Sequence, residues 1–168
     1  IDADFPTDIV GGFAELDGYI NIMTLSGRVY QSDINSVSSW GASNYLTCSK
    51  FADNGIGVVR YKNWIAAFSI ASMELLYNAG NTSGSTMSSS ENTYTDFGSY
   101  PIHAANITKA NNTLYWLAGD SCLYVLEGAT PKKIESSAQV FPPTIQVGGV
   151  TSFFLNKKSY VNVYHIDG

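Results

Sequence analysis

The sequence predicts an all-β fold, and three observations carry that prediction. Aromatic residues are abundant, with 11 Tyr, 8 Phe and 3 Trp. Turn formers match them, with 15 Gly and with Ser, Thr and Asn filling 45 of the 168 positions. Aromatic and β-branched runs broken by Gly, Asn, Asp and Ser are the pattern of short antiparallel strands joined by tight turns. The third observation is what is missing: no long Ala/Leu/Glu/Lys stretch keeps a 3.6-residue period. The nearest to a helix is Ile70 to Ala79, and it is better explained as a turn followed by a strand.

A repeat near 47 residues orders these strands. Tyr19, Trp64, Thr113 and Tyr160 sit at intervals of 45, 49 and 47 residues. Each follows a polar pair, Asp17-Gly18, Lys62-Asn63, Asn111-Asn112 or Lys158-Ser159. Asp-Gly and Asn-rich pairs tolerate the positive φ of two-residue hairpins. A second marker, Val29-Tyr30, Leu76-Tyr77 and Leu123-Tyr124, recurs at 47 and 47.

Each unit then reads as a four-stranded meander. An opening strand comes first, as in Gly11 to Leu16 or Gly57 to Tyr61. A second strand follows the polar pair. After a short turn comes a third strand: Arg28 to Ser32, Met73 to Asn78, and Cys122 to Leu126. Fourth strands are expected near Tyr45 to Ser49 and Lys132 to Ser136. Small residues gather on the opening strands (Gly11, Gly12, Gly55, Gly57, Ala104, Ala105), as a crowded inner edge requires.

Four short antiparallel strands at this period are the signature of a β-propeller blade, in which stacked sheets hide each other's faces. The units are about 9–52, 53–100, 101–145 and an incomplete 146–168. That is roughly three and a half blades, fewer than the four or so that ring closure needs. The chain therefore reads as a segment of a larger propeller, complete neither at Ile1 nor at Gly168. A closed smaller barrel or a sandwich is the alternative. Residues 80–99 hold few bulky apolar side chains and are expected to form a long polar loop.

Composition excludes several classes. The chain is 45% hydrophobic and only 14% charged, too apolar for disorder. No apolar run reaches the roughly 18 residues of a membrane helix. The chain starts at Ile1 with neither Met nor a signal-like segment. A net charge of −5 argues against phosphate binding as its main purpose. Cys48 and Cys122 lie far apart and are expected to be buried and reduced.

The search for chemistry yields little. His103 and His165 have no Cys or His at metal-ligand spacing, so no metal site is expected. Neither a nucleophile elbow nor a phosphate-binding glycine loop is present, and no cofactor is expected. Glycosidase work would need two flanking carboxylates. Asp17, Asp33, Glu74, Asp120 and Glu127 are the candidates, with Asp17 and Asp120 at turn positions. Ser32 to Trp40 faintly echoes a sialidase Asp-box but lacks its central Gly. Glu74 lies in an apolar strand and would need a partner, for which Arg60 and Lys62 are at hand. The N-x-[ST] triplets at Asn81, Asn106 and Asn111 are assigned no role.

Residues Leu16 to Tyr19, Ser26 to Asp33 and Trp40 carry a resemblance. It continues through Ala66 to Ser69 and Ser72-Met73-Glu74-Leu75-Leu76-Tyr77-Asn78-Ala79-Gly80, the most specific stretch. It ends with Asn112 to Asp120 and Gly128 to Ser136. Over about residues 5–140 the chain resembles the propeller core of podovirus short-tail proteins, the tail-nozzle and packaged-DNA-stabilisation proteins. It departs from them at Gly98-Ser99-Tyr100-Pro101, where a Gly-Cys pair is usual, and in the polarity of residues 81–96.

The resemblance implies a non-enzymatic virion component, assembled in the host cytoplasm, with no catalytic, cofactor or metal residues. It implies a homo-oligomeric ring, typically of six copies, below the portal. Such a ring docks to the tail adaptor and meets fibre or needle proteins. It extends the channel through which DNA leaves, without sequence-specific binding, and helps retain packaged DNA. An acidic balance suits a conduit that must not trap phosphate. The competing readings are a carbohydrate-binding or glycosidase-like propeller at a cell surface, and a protein-binding propeller of cellular origin. A glycan reader would expose Trp40, Trp64 and Trp116; a scaffold would bury them as packing residues.

Overall fold

The computed structural model describes residues 2–48, 53–95, 107–118, 120, 122–134 and 147–165. Among these the fold is all-β, with no helix. Ile70 to Ala79 is a turn plus a strand, as the repeat predicts. His103, Ala104, Ala105 and Asn106 lie outside the described residues, as does the Gly98 to Pro101 departure.

Four consecutive strands form a first quartet: β1 (Ile9–Leu16), β2 (Tyr19–Thr24), β3 (Arg28–Ser32) and β4 (Trp40–Thr47). A second quartet follows: β5 (Gly55–Tyr61), β6 (Trp64–Ser69), β7 (Met73–Asn78) and β8 (Met87–Thr95). A third comprises β9 (Ile107–Ala110), β10 (Thr113–Leu117), β11 (Leu123–Glu127) and β12 (Thr130–Lys133). The last described pair is β13 (Val147–Leu155) and β14 (Lys158–His165). Each quartet is an antiparallel meander paired in chain order.

The opening hairpin is the same in all four units. Its closing pairs are Leu16↔Tyr19, Tyr61↔Trp64, Ala110↔Thr113 and Leu155↔Lys158. Asp17 and Gly18, Asn111 and Asn112, and Asn156 and Lys157 all have positive φ, and Lys62 has it alone in its turn. Two positive-φ residues match the right-handed twist of the flanking strands, so these pairs fix the register. The fourth unit is corrected by two residues: its turn is Asn156-Lys157, and Lys158 is the partner of Tyr19, Trp64 and Thr113.

The tyrosine marker is also corrected. Register places Tyr30 opposite Ile22, Glu74 opposite Ala67, and Tyr124 opposite Trp116. Ile22, Ala67 and Trp116 each lie three residues into their strand, so Tyr30, Glu74 and Tyr124 are equivalent. Tyr77 is not: the second strand of that unit starts 45 residues on rather than 47, and its β6–β7 turn is one residue tighter, which together move the equivalent position from Tyr77 to Glu74.

Strict alternation lets the second quartet bury both faces. Val58, Ile65, Ala67 and Leu76 join Ala14, Leu16, Met23 and Val29 in one core against the first quartet. Ala66, Phe68, Met73 and Leu75 join Leu114, Trp116, Tyr124 and Leu126 in another against the third. Phe68 meets the Trp116 ring edge-on at 5.5 Å, and the Tyr61 hydroxyl donates to the Leu126 carbonyl at 3.0 Å. A smaller core of Leu117, Leu123, Val150, Val161 and Val163 joins the third quartet to β13–β14.

The first two quartets are one eight-stranded sheet, in the order β4-β3-β2-β1-β5-β6-β7-β8, joined at the parallel pair Gly11↔Gly57. Here the sheet doubles back over its core, which requires unusually close backbones. Gly12 has φ +79°, and a Cβ there would lie 2.9 Å from the Val58 carbonyl oxygen. The Gly55 N–H donates to the Leu25 carbonyl at 3.0 Å. A Cβ on Gly55 would sit 2.3 Å from the Thr24 carbonyl oxygen and 3.0 Å from two Met23 atoms.

The expected long loop at 80–99 contains a strand. β8 occupies Met87–Thr95 and pairs with β7; residues 96–99 lie outside the described residues. A polar outer strand is held by backbone pairing and needs no apolar alternation, so its sequence resembled a loop. The turn before it is anchored on the first quartet. Gln31, buried on β3, donates to the Thr86 hydroxyl at 2.7 Å and accepts from the Thr86 N–H at 3.0 Å.

Replacing Gly55 with Ala is expected to cost about 1–3 kcal/mol, as for overpacking a close contact. Equilibrium urea unfolding reads the loss as a lower midpoint. An unchanged midpoint would mean that the quartets do not approach at this seam.

Candidate functional site

The five candidate carboxylates sit on separate elements, each engaged locally. Asp17 accepts from the Asn78 amide at 3.1 Å, tying the first hairpin to β7. Asp33 accepts from the Ser39 hydroxyl at 2.5 Å, while its N–H donates to the Ser39 carbonyl at 2.8 Å. The Asp-box echo is therefore a turn closed by its own aspartate. Glu127 pairs with Lys132 at 2.9 Å. Glu74 is buried and accepts from the Ser89 hydroxyl at 2.9 Å. Arg60, offered above as its partner, instead pairs with Glu15, because both lie at the hairpin ends of adjoining quartets.

Asp120 organises a compact polar cluster. It accepts from the Tyr124 hydroxyl at 3.0 Å, the Cys122 N–H at 3.1 Å and the Lys133 ammonium at 3.3 Å. Partial burial pushes its carboxyl up, but these three donors outweigh burial and hold it below the ordinary 3.8. Burial first, and Asp120 second, push the Tyr124 hydroxyl up to about 12. The neighbouring Cys122 thiol and then Asp120 raise the Lys133 ammonium. The donors are spent on bracing the β10–β11 turn against β12.

The tryptophans pack. Trp116 is fully buried and Trp40 nearly so, with Phe5 edge-on to Trp40 at 5.1 Å. Trp64 is half-buried and stacks on Tyr61 at 6.2 Å. Cys48 and Cys122 are buried and form no disulfide, and burial pushes the Cys48 thiol far up. Asn81 donates its amide to the Ser85 and Met87 carbonyls, and Asn111 forms a hairpin turn. His165 ends β14. No group of three or more His, Cys, Asp or Glu suits a metal among the described residues. None of the helices needed to cross a membrane occurs among them either.

One sheet face carries an aromatic row of which Phe13 is exposed, Tyr30 and Tyr45 are half-buried and Ile22 is buried. Phe13, Ile22, Tyr30 and Tyr45 form one cross-strand row over all four strands of the first quartet. The equivalent row begins Val58–Ala67–Glu74 in the second quartet and Ile107–Trp116–Tyr124 in the third. Those rows pack toward the preceding quartet. In the first quartet Phe13 is instead 73% exposed. Tyr30 packs on Tyr45 at 5.1 Å, with the Arg28 guanidinium 4.7 Å over the Tyr45 ring. Beside the row lies a shallow cavity of about 340 Å³ lined by Glu15, Gly18, Ile20, Asn35, Ser36 and Val37.

Sequence reasoning passed over Phe13 because alternation gives a strand two faces without saying which is covered. The β1–β2 register shift between Ile9 and Phe13 keeps both on the same side of the sheet, and both are exposed. Comparison with known proteins gives no family: no family model and no curated protein matches the chain.

The Asp120 cluster has a defined pH signature. Its depressed carboxyl adds stability that is complete above the ordinary 3.8 and is lost as pH falls through the lower folded value. Asp120→Asn should lower the unfolding free energy from urea denaturation near neutral pH by less than about 1 kcal/mol, since the ion pair is half in solvent. The gap from wild type should close in acid. A gap that widens below pH 3.8 would contradict the assignment.

Proposed function

We propose that the chain is a β-propeller segment whose work is structural, within a tail-nozzle or packaged-DNA-stabilisation protein of a short-tailed phage. One observation carries the propeller reading. Equivalent cross-strand rows recur in successive quartets, and each later row packs on the quartet before it. Radial stacking of four-stranded blades would bury faces in this way.

The structural reading draws support from where the polar groups go. The candidate carboxylates close turns or join strands, and Trp40 and Trp116 are packing residues, as a scaffold uses them. The virion assignment rests on the resemblance over residues 5–140. In that role the protein forms a homo-oligomeric ring, docks to the tail adaptor and braces the DNA exit path. The net charge of −5 suits a wall that DNA slides past.

Electron microscopy of the purified full-length protein tests this reading. It should show ring-shaped oligomers with a central channel, and the ring should bind no glycan on an array. Isolated monomers with saccharide affinity would sink it in favour of a carbohydrate-binding propeller.

A further inference from the structure

The chain enters β5 through a self-reactive pair. Asn54-Gly55 is its single Asn-Gly dipeptide. Asn54 is exposed, and Gly55 is the buried first residue of β5. In such a pair the glycine nitrogen attacks the asparagine side-chain carbonyl carbon, since no Cβ on the glycine stands in the way. A bond forms between the Gly55 nitrogen and Asn54 Cγ, and the bond from Cγ to Nδ2 breaks. Ammonia leaves, carrying the proton that the backbone nitrogen gave up. Water then opens the five-membered imide at either carbonyl. One product is aspartate. In the other, isoaspartate, the main chain runs through the former side chain and is one carbon longer.

The fold holds this reaction off through the backbone around it. The Gly55 N–H, whose proton must leave, donates to the Leu25 carbonyl at 3.0 Å. The Asn54 carbonyl accepts from the Ile70 N–H at 3.1 Å, and the Asp53 carboxylate accepts from the Ala71 N–H at 2.6 Å. With these bonds in place the chain cannot turn the Gly55 nitrogen toward Cγ. Nor does the seam have room for the longer product, because a Cβ on Gly55 would already lie 2.3 Å from the Thr24 carbonyl oxygen. We propose that Asn54 is a deamidation site gated by the seam between the first two quartets. Closed, the seam spends the reacting N–H on Leu25. Parted, it frees both the N–H and the chain, and conversion to isoaspartate then keeps the seam from closing again. Isoaspartate at position 54 is thus a one-way record of the quartets having separated.

Peptide mapping by mass spectrometry, with isoaspartyl methyltransferase labelling, tests this on the whole chain held in mildly alkaline buffer. Native wild type should deamidate at Asn54 at least about a hundredfold more slowly than the same chain unfolded in guanidinium chloride, because protection follows the free energy of opening. Gly12→Ala leaves the Asn54-Gly55 pair intact but puts a Cβ 2.9 Å from the Val58 carbonyl oxygen at a φ of +79°. Leu114→Ala instead opens a cavity in the core shared by the second and third quartets. Compared at equal unfolding free energy, Gly12→Ala should deamidate about tenfold faster than Leu114→Ala, since only the first parts the seam locally. Purified wild type carrying isoaspartate at position 54 should unfold at a lower urea midpoint than Asn54→Asp, which has the same charge on a main chain of ordinary length. Native deamidation as fast as in the unfolded chain overturns the inference, and so does equal acceleration by the two variants. If either variant fails to fold, the isoaspartate species decides: a midpoint equal to that of Asn54→Asp also overturns it.

Discussion

The structure depends on the burial of its second quartet from both sides. A four-stranded sheet has two faces, and a single layer cannot hide both from water. In β6 the residues alternate with period two, and so do their destinations: Ile65 and Ala67 toward the first quartet, Ala66 and Phe68 toward the third. All four are essentially inaccessible. Removing either neighbour would return a row of apolar side chains to water, at roughly 25 cal/mol per Å² of apolar surface. The quartets are therefore conditions for one another.

Hairpin chemistry sets this arrangement up locally. Positive φ at Asp17-Gly18, Asn111-Asn112 and Asn156-Lys157 holds each opening hairpin to a two-residue turn. A one-residue slip would send every apolar side chain to the opposite face. Close approach at Gly55 then lets the first two quartets meet edge to edge while their faces converge on a shared core. Short-range turns fix which side chains point where, and the glycine seam fixes how sheets meet.

Much of this was legible in the sequence because it is local. The polar pairs, the strands after them and the non-helical nature of Ile70 to Ala79 all follow from turn chemistry and alternation. What escaped was non-local or backbone-made. β8 is bonded through its main chain, so Ser88, Ser89 and Ser90 gave no strand signal. The 47-residue interval to Tyr77 was coincidental, since the 45-residue spacing of the second strands and a one-residue tighter turn together place the equivalent position at Glu74. The partner of Glu74 was misjudged because Arg60 is drawn to Glu15 across a boundary that the sequence does not display. The exposure of Phe13 depends on which sheet face is covered, which alternation alone does not display.

The molecule's polar side chains mostly close turns and join strands. The most direct test of the central claim is native-state hydrogen exchange. If β6 lies between two cores, amides of Trp64–Ser69 that bond to β5 and β7 should exchange only through global unfolding. Those on the outer strands β4 and β12 should exchange much faster. Exchange of the β6 amides as fast as those of the outer strands would contradict the account.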